Sequence, residues 1–240
     1  MIPKKIHYCW FGKRPLSKIA KKCIVSWKKY CPDYEIIQWN ENNFDINYCN
    51  YSRQAYDAGK YAFVSDVARF YILVNHGGIY MDVDHEILKP IDYFLQCKAF
   101  CGLQAKAEIG LGILGCVENF ELFKNFLNEY NNINFKKEDG KFDITVINLR
   151  FMDFCYKYGF IKDDKLQNIR DLSIYPSTYF YATSFETYKT TITKNTYSDH
   201  HYIGSWCTPK MRIYSWLVKV LGIRVVQKIS SIKNKIIKNF

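Results

Sequence analysis

The sequence predicts an α/β fold, on three observations. An apolar run, Ile6-His7-Tyr8-Cys9-Trp10-Phe11, reads as a buried strand ending at Gly12, and Pro15 opens a helix through Trp27 and Tyr30. Phe63, Val67, Phe70, Tyr71 and Val74 then recur at helical spacing, and Gly77-Gly78 stops the run, because a left-handed residue past the last turn is easiest for glycine. The double glycine leads into a short strand, Ile79 to Asp84. A first strand that runs into a glycine loop and a helix is where nucleotide sites open in α/β sheets, outside the carboxyl end of the strand.

The remaining elements follow in order. Tyr34 to Trp39 reads as a second strand entered through the Cys31-Pro32-Asp33 turn, and Asn43 to Asn50 as a surface connection. Glu86 to Leu88 continues as strand toward Pro90, and Ala99 to Leu103 is another. Glu108 to Gly115 is rich in glycine but lacks the G-K-[ST] ending of a phosphate loop, so its glycines are expected to let backbone approach a ligand closely. Phe120, Phe123, Phe126 and Leu127 mark one further helix, and Ile144 to Tyr158 a second.

Chemistry concentrates after the double glycine. Strand alternation points Ile79, Met81 and Val83 one way and Tyr80, Asp82 and Asp84 the other, so two carboxylates share a face roughly 6.5 to 7 Å apart at Cα. Such oxygen ligands suit a hard divalent ion that bridges to substrate phosphates. Asp66 and Arg69 lie one helical turn apart, off the apolar stripe of the preceding helix. The second constellation is His200-His201-Tyr202-Ile203-Gly204-Ser205-Trp206.

The pattern Ser65-Asp66-x-x-Arg69, then Gly77-Gly78-x-Tyr80-x-Asp82-x-Asp84, resembles the DXD-containing sugar-binding-region glycosyltransferases. These include bacterial capsule and lipopolysaccharide transferases and fungal mannosyltransferases, with a more distant similarity to the glucosylating domains of large clostridial toxins. The resemblance implies a GT-A-type, Rossmann-like nucleotide-sugar fold with a mixed central sheet flanked by helices, and a metal-dependent, retaining transfer of a hexose. Carried over residue by residue, it makes Trp10 the platform for the nucleotide base and Asp66 an acceptor for donor-sugar hydroxyls. Arg69 would stabilise sugar or diphosphate charge, Ser65 help at the ribose, Tyr80 form a pocket wall and Glu108 lie near the sugars. The His-x-x-x-Ser-Trp ending resembles the family's C-terminal motif, which makes His201 (with His200 the alternative) the third metal ligand beside Asp82 and Asp84. The same motif puts Ser205 nearby and Trp206 over the diphosphate. Imidazole with carboxylates favours Mn²⁺ over Mg²⁺. The partners implied are a nucleotide-sugar donor, a UDP-sugar by expectation, and a saccharide or lipid-linked glycan acceptor in surface polysaccharide synthesis.

Composition narrows the alternatives. At 240 residues, with 48% hydrophobic and 18% aromatic residues, the chain supports one sizeable core and is not disordered in bulk. The expected division is a transferase domain over 1–209 and a basic amphipathic helical tail over 210–240. Of the formal net charge of +11, eight positive charges and no negative one fall between 210 and 240, which leaves +3 for the rest. A basic nucleic-acid-binding protein would instead spread Lys, Arg and exposed aromatics over a face of the body, so no nucleic-acid partner is expected. A non-catalytic nucleotide-sugar binder at the membrane is disfavoured by the full acidic and histidine set. Nine scattered cysteines without a C-x-x-C pair, and no apolar leader, lead us to expect reduced thiols in a cytoplasmic protein. In the tail, Val218, Leu221, Val225, Ile229, Ile232, Ile236 and Phe240 form a stripe flanked by lysines. Residues 213–240 thus read as an interfacial helix for an anionic membrane surface, with a peripheral position at the inner face of the plasma membrane.

Overall fold

A computed structural model describes residues 1–204 and 209–227, of which the side chains of residues 209–212 are not described. The central sheet has seven strands: β1 (Lys5–Cys9), β2 (Glu35–Trp39), β3 (Gly78–Met81), β5 (Ala99–Gln104), β6 (Glu108–Cys116), β7 (Gln167–Ile169) and β8 (Leu172–Tyr175). Their order is β2-β1-β3-β6-β5-β8-β7. Strands β2, β1 and β3 run parallel, β6 is antiparallel to both β3 and β5, and β8 returns parallel to β5. A separate pair, β4 (His85–Ile87) and β9 (Ser198–His200), joins the chain just after Asp84 to the histidine segment.

Both faces of the sheet are covered. Helix α1 (Lys18–Tyr30), capped by Ser17 accepting from the Ala20 amide, packs Cys23 and Trp27 against Ile79, Met81 and Ile113. On the other face α2 (Asn50–Asp57), α3 (Tyr61–His76), α4 (Glu121–Glu129) and α5 (Ile147–Tyr156) close over Tyr80, Cys101 and Leu114. The alternation read for Ile79, Tyr80 and Met81 is therefore real, with Tyr80 on the α3 side and its neighbours on the α1 side. A short α6 (Ser177–Phe180) follows β8, and α7 (Pro209–Leu221) lies beyond β9. The eight cysteines among the described residues are free.

The elements differ from expectation in four places. The helix marked by Phe63 to Val74 starts at Tyr61 and is preceded by a separate helix, α2, the two being broken at Gly59. The strand after the double glycine stops at Met81, and the chain turns at Asp82, whose carbonyl accepts from the His85 amide at 2.9 Å. The stretch from Glu86 belongs to the second sheet and does not prolong β3. The glycine-rich run 108–115 is a buried central strand, and its glycines admit the protein's own aromatics: a Cβ at Gly110 would come within 2.4 Å of Tyr181, and one at Gly115 within 2.6 Å of Phe100.

The turn between α3 and β3 is locked by a buried histidine. Gly77 and Gly78 have φ of 59° and 92°, and a Cβ at Gly78 would meet the Lys5 carbonyl at 2.9 Å. His7 on β1 donates from Nε2 to the Gly77 carbonyl (3.0 Å) and accepts at Nδ1 from the Trp39 indole (3.1 Å), so only its neutral form suits both partners. Burial pushes its pKa down to about 4. The unfolded chain therefore binds the proton more readily between pH 6.5 and 4. The stability this imidazole contributes is complete above 6.5 and is lost as pH falls toward 4, by about 3 kcal/mol. Urea unfolding of the natural chain and of His7→Gln at pH 7 and pH 4.5 should give a smaller fall in the variant; equal falls would refute the account.

Candidate metal and sugar site

The site gathers past the carboxyl end of β3, beyond Met81. β1 runs parallel beside β3, with His7 opposite Tyr80, and Trp10 follows the last residue of β1 at the same end of the sheet. Trp10 is half-buried, and its indole donates to the Arg14 carbonyl at 2.5 Å, which fixes the ring against its own loop. The backbone of that loop is braced in turn by Glu41, which accepts from the Gly12 amide and from the Tyr56 hydroxyl.

Asp82, Asp84 and His200 converge: one donor atom from each lies within 4.8 Å of the others. The turn at Asp82, and not strand pleating, brings the carboxylates together. Asp84 Oδ1 meets His200 Nε2 at 3.0 Å, Oδ2 accepts from the Ile203 amide at 2.9 Å, and the Asp84 carbonyl accepts from the His201 amide at 2.9 Å. Asp82 Oδ2 stands 3.9 Å from the same imidazole. Burial alone would raise the Asp84 carboxyl, but the charge and hydrogen bond of His200, with the Ile203 amide, outweigh it and hold it below the usual carboxylate range. The same partnership raises His200 against its own burial.

The doubled histidine splits, which corrects the expectation for His201. On β9 it is His200 that pairs with His85 and faces Asp84, whereas His201 Nε2 meets Glu86 at 2.8 Å, and Glu86 also holds Lys22 at 2.9 Å. Successive residues of an extended chain point to opposite sides, so only one of the two can join the cluster.

The donor set fits a divalent cation of the Mn²⁺ type, with two carboxylates and one imidazole. One further observation agrees: Gly112, whose carbonyl accepts from the Asp82 amide, leaves the floor of the cluster clear. A side chain there would stand 3.1 Å from His85 Nδ1, 3.3 Å from His200 Cδ2 and 3.4 Å from Asp82 Oδ2.

Beside this cluster lies a buried pair from α3. Asp66 and Arg69 are not off the packed face as expected; both are buried, because α3 is covered nearly all round. Arg69 donates to Asp66 Oδ1 (3.0 Å), the Leu111 carbonyl (2.7 Å) and the Ser65 carbonyl (3.3 Å), and it stands 3.5 Å from Asp82 Oδ1. Tyr80 also donates to Asp82 Oδ1, at 3.1 Å, and its ring lies under the guanidinium at 4.7 Å. Tyr80 is therefore a brace for Asp82, fully covered, and not a pocket wall. Burial, with the Asp82 charge adding and Arg69 opposing, pushes the Asp66 carboxyl up to about 7. The Ser65 hydroxyl donates back to the Tyr61 carbonyl at 3.2 Å. Glu108 sits at the outer end of β6 and pairs with Lys162 at 3.2 Å, apart from the cluster. Ser205 and Trp206 lie outside the described residues.

A seven-stranded mixed sheet with helices on both faces and an acidic turn after its third strand is a GT-A-type fold. Residues 17–100 match the family described as "Glycosyltransferase sugar-binding region containing DXD motif", a stretch that contains Asp66, Arg69, Asp82 and Asp84. Over 121 residues the chain is 28% identical to inositol phosphoceramide mannosyltransferase 3 of Schizosaccharomyces pombe (strain 972 / ATCC 24843), an alignment spanning 48% of this chain and 33% of the relative. The matched segment is thus about a third of that curated relative's length. Among solved structures, the PaToxG glycosyltransferase superposes with a TM-score of 0.51 at 18% identity, over 65% of this chain and 68% of the other, a likeness of fold.

Proposed function

We propose that this chain is a metal-dependent, retaining hexosyltransferase that moves a sugar from a nucleotide-sugar, a UDP-sugar by preference, to a saccharide or lipid-linked glycan in surface polysaccharide synthesis. The observation that carries the reading is the convergence of Asp82, Asp84 and His200 within 4.8 Å just past the carboxyl end of β3. Asp82, Asp84 and His200 would hold Mn²⁺, which when bound supplies Lewis-acid stabilisation of the diphosphate leaving group. Trp10 presents an aromatic face for the base. Asp66 accepts hydrogen bonds from hydroxyls of the donor sugar once ionised. Arg69, with its donors turned to Asp66, Leu111 and Ser65, acts as a positioning residue that fixes both carboxylates, and the diphosphate charge is left to the metal. Retention proceeds by front-face attack in this reading, which therefore assigns no covalent nucleophile.

The test is donor hydrolysis by the purified chain across UDP-, GDP- and CMP-sugars, with and without Mn²⁺, read as free nucleotide. Metal-dependent release from one donor is the expected result and names the sugar. If no donor is hydrolysed, alone or with oligosaccharide acceptors, while calorimetry shows nucleotide-sugar binding, the chain is a binder and the catalytic reading fails.

A further inference from the structure

Helix α7 is docked on the domain by its less apolar side. Ser215 accepts from the Tyr188 hydroxyl at 2.8 Å, Lys219 Nζ lies 4.5 Å from the centre of the Tyr188 ring, and Val218 is buried. At 3.6 residues per turn these three share one side of the helix. The opposite arc carries Ile213, Tyr214, Trp216, Val220 and Leu221, all exposed, with Trp216 and Ile213 each 61% accessible. The stripe expected from sequence is thus misplaced: Val218 faces inward, Leu221 and Val225 face outward, and its members from Ile229 on lie outside the described residues.

We infer that this arc of α7 is a docking surface for an anionic lipid bilayer. Charge decides between occupants. Residues 210–240 contain eight Lys or Arg and no Asp or Glu. A second copy laid on this face would bring two such segments together, whereas acidic headgroups neutralise them. The residue types agree as well, since Trp216 and Tyr214 border an aliphatic patch, the arrangement of an in-plane interfacial helix. No described helix is long and apolar enough to cross a membrane, so the contact is with the surface.

The surface is joined to the site by packing. Tyr188 packs on Phe185 (6.2 Å between ring centres), Phe185 on Tyr202 (5.2 Å) and Tyr202 on His200 (4.3 Å). The helix that would lie on lipid is therefore seated on Tyr188, which reaches the cluster's imidazole through the rings of Phe185 and Tyr202. Resting on the transferase reading, this turns the Asp82, Asp84 and His200 cluster toward the bilayer and selects an acceptor anchored in lipid.

The experiment is co-sedimentation of the full chain with phosphatidylcholine vesicles and with vesicles that also contain phosphatidylglycerol, at low and high salt. The natural chain should pellet with the anionic vesicles only, less so at high salt. The triple variant Ile213→Ser, Trp216→Ser, Val220→Ser should lose at least tenfold in partitioning with an unchanged thermal midpoint. Equal binding by the variant overturns the proposal. So does a natural chain that ignores both vesicles but is dimeric where the variant is monomeric, or a variant whose midpoint falls because the chain's own residues cover the arc. None of these readouts uses turnover, so failure here leaves the transferase reading standing. If vesicle binding holds, donor transfer to a lipid-linked acceptor in anionic vesicles should exceed transfer to the same acceptor in detergent.

Discussion

Asp84→Asn should abolish metal-dependent nucleotide release, by at least about a thousandfold, while leaving the thermal midpoint close to that of the natural chain. A loss of that size corresponds to about 4 kcal/mol of transition-state stabilisation, the range for removing a group that meets developing charge in a site. The substitution separates two duties of this carboxylate. As an acceptor it holds the Ile203 amide through Oδ2 and His200 through Oδ1, and an amide oxygen of the same shape keeps the first of these contacts. As a charge it would ligate the cation and balance His200, and an amide does neither. Asp84→Ala removes both duties and should cost stability as well as turnover, since the end of β9 loses its anchor. Asp82→Ala should match it in turnover. The measurements are free nucleotide from the active donor with saturating Mn²⁺, and calorimetric binding of Mn²⁺ alone. Full turnover in either variant would sink the metal assignment, as would undiminished Mn²⁺ binding in Asp84→Asn.

What the sequence revealed of this site follows the range of the interactions that build it. Helix α3, the stop at Gly77-Gly78 and the acidic pair were legible because each is written in residues close in sequence, and a period or a turn residue is a local signal. The environment of Asp66 and Arg69 was not, because their burial depends on α4, α5 and the Leu111 carbonyl of β6, contacts that no spacing within α3 encodes. Strand β6 was missed for a related reason. Its glycines depress strand propensity locally and are required there by Tyr181 and Phe100, which come from elsewhere in the chain. The choice between His200 and His201 rests on the register of β9 against β4, a pairing across more than a hundred residues. A usable signal was present in the alternation of Ser198-Asp199-His200, had the partner strand been known. The role of His7 was likewise written in no local pattern; the structure gives its ring to a glycine carbonyl 70 residues away.

Arg69→Ala should be the most destabilising single change in the site, by about 3 to 5 kcal/mol, the cost of removing one partner from a buried ion pair. The guanidinium is almost wholly buried, and it is compensated on several sides at once, by Asp66, the Leu111 and Ser65 carbonyls, Asp82 and the Tyr80 ring. Without it, the Asp66 carboxyl loses the cation that opposes its burial and is driven further toward its protonated form, and Asp82 loses the group that faces its Oδ1. Arg69→Lys restores one charge but cannot reproduce the planar fork that reaches carboxylate and carbonyl together, so it should recover only part of the loss. The decisive comparison is the double variant Arg69→Met, Asp66→Asn. If the cost arises from an unpaired buried charge, removing the carboxylate along with the guanidinium should make the double variant more stable than Arg69→Met alone, by at least about 1 kcal/mol in urea unfolding. If the two substitutions instead add without coupling, Arg69 stabilises the fold through packing and its carbonyl contacts, and the ion pair is not what holds Asp66 in place. Turnover gives the second reading. Because Arg69 positions Asp66 and Asp82 and leaves the diphosphate to the metal, Arg69→Lys should weaken both Mn²⁺ affinity and donor KM. A fall in kcat alone, with metal and donor affinity intact, would mean that the guanidinium meets the leaving group directly.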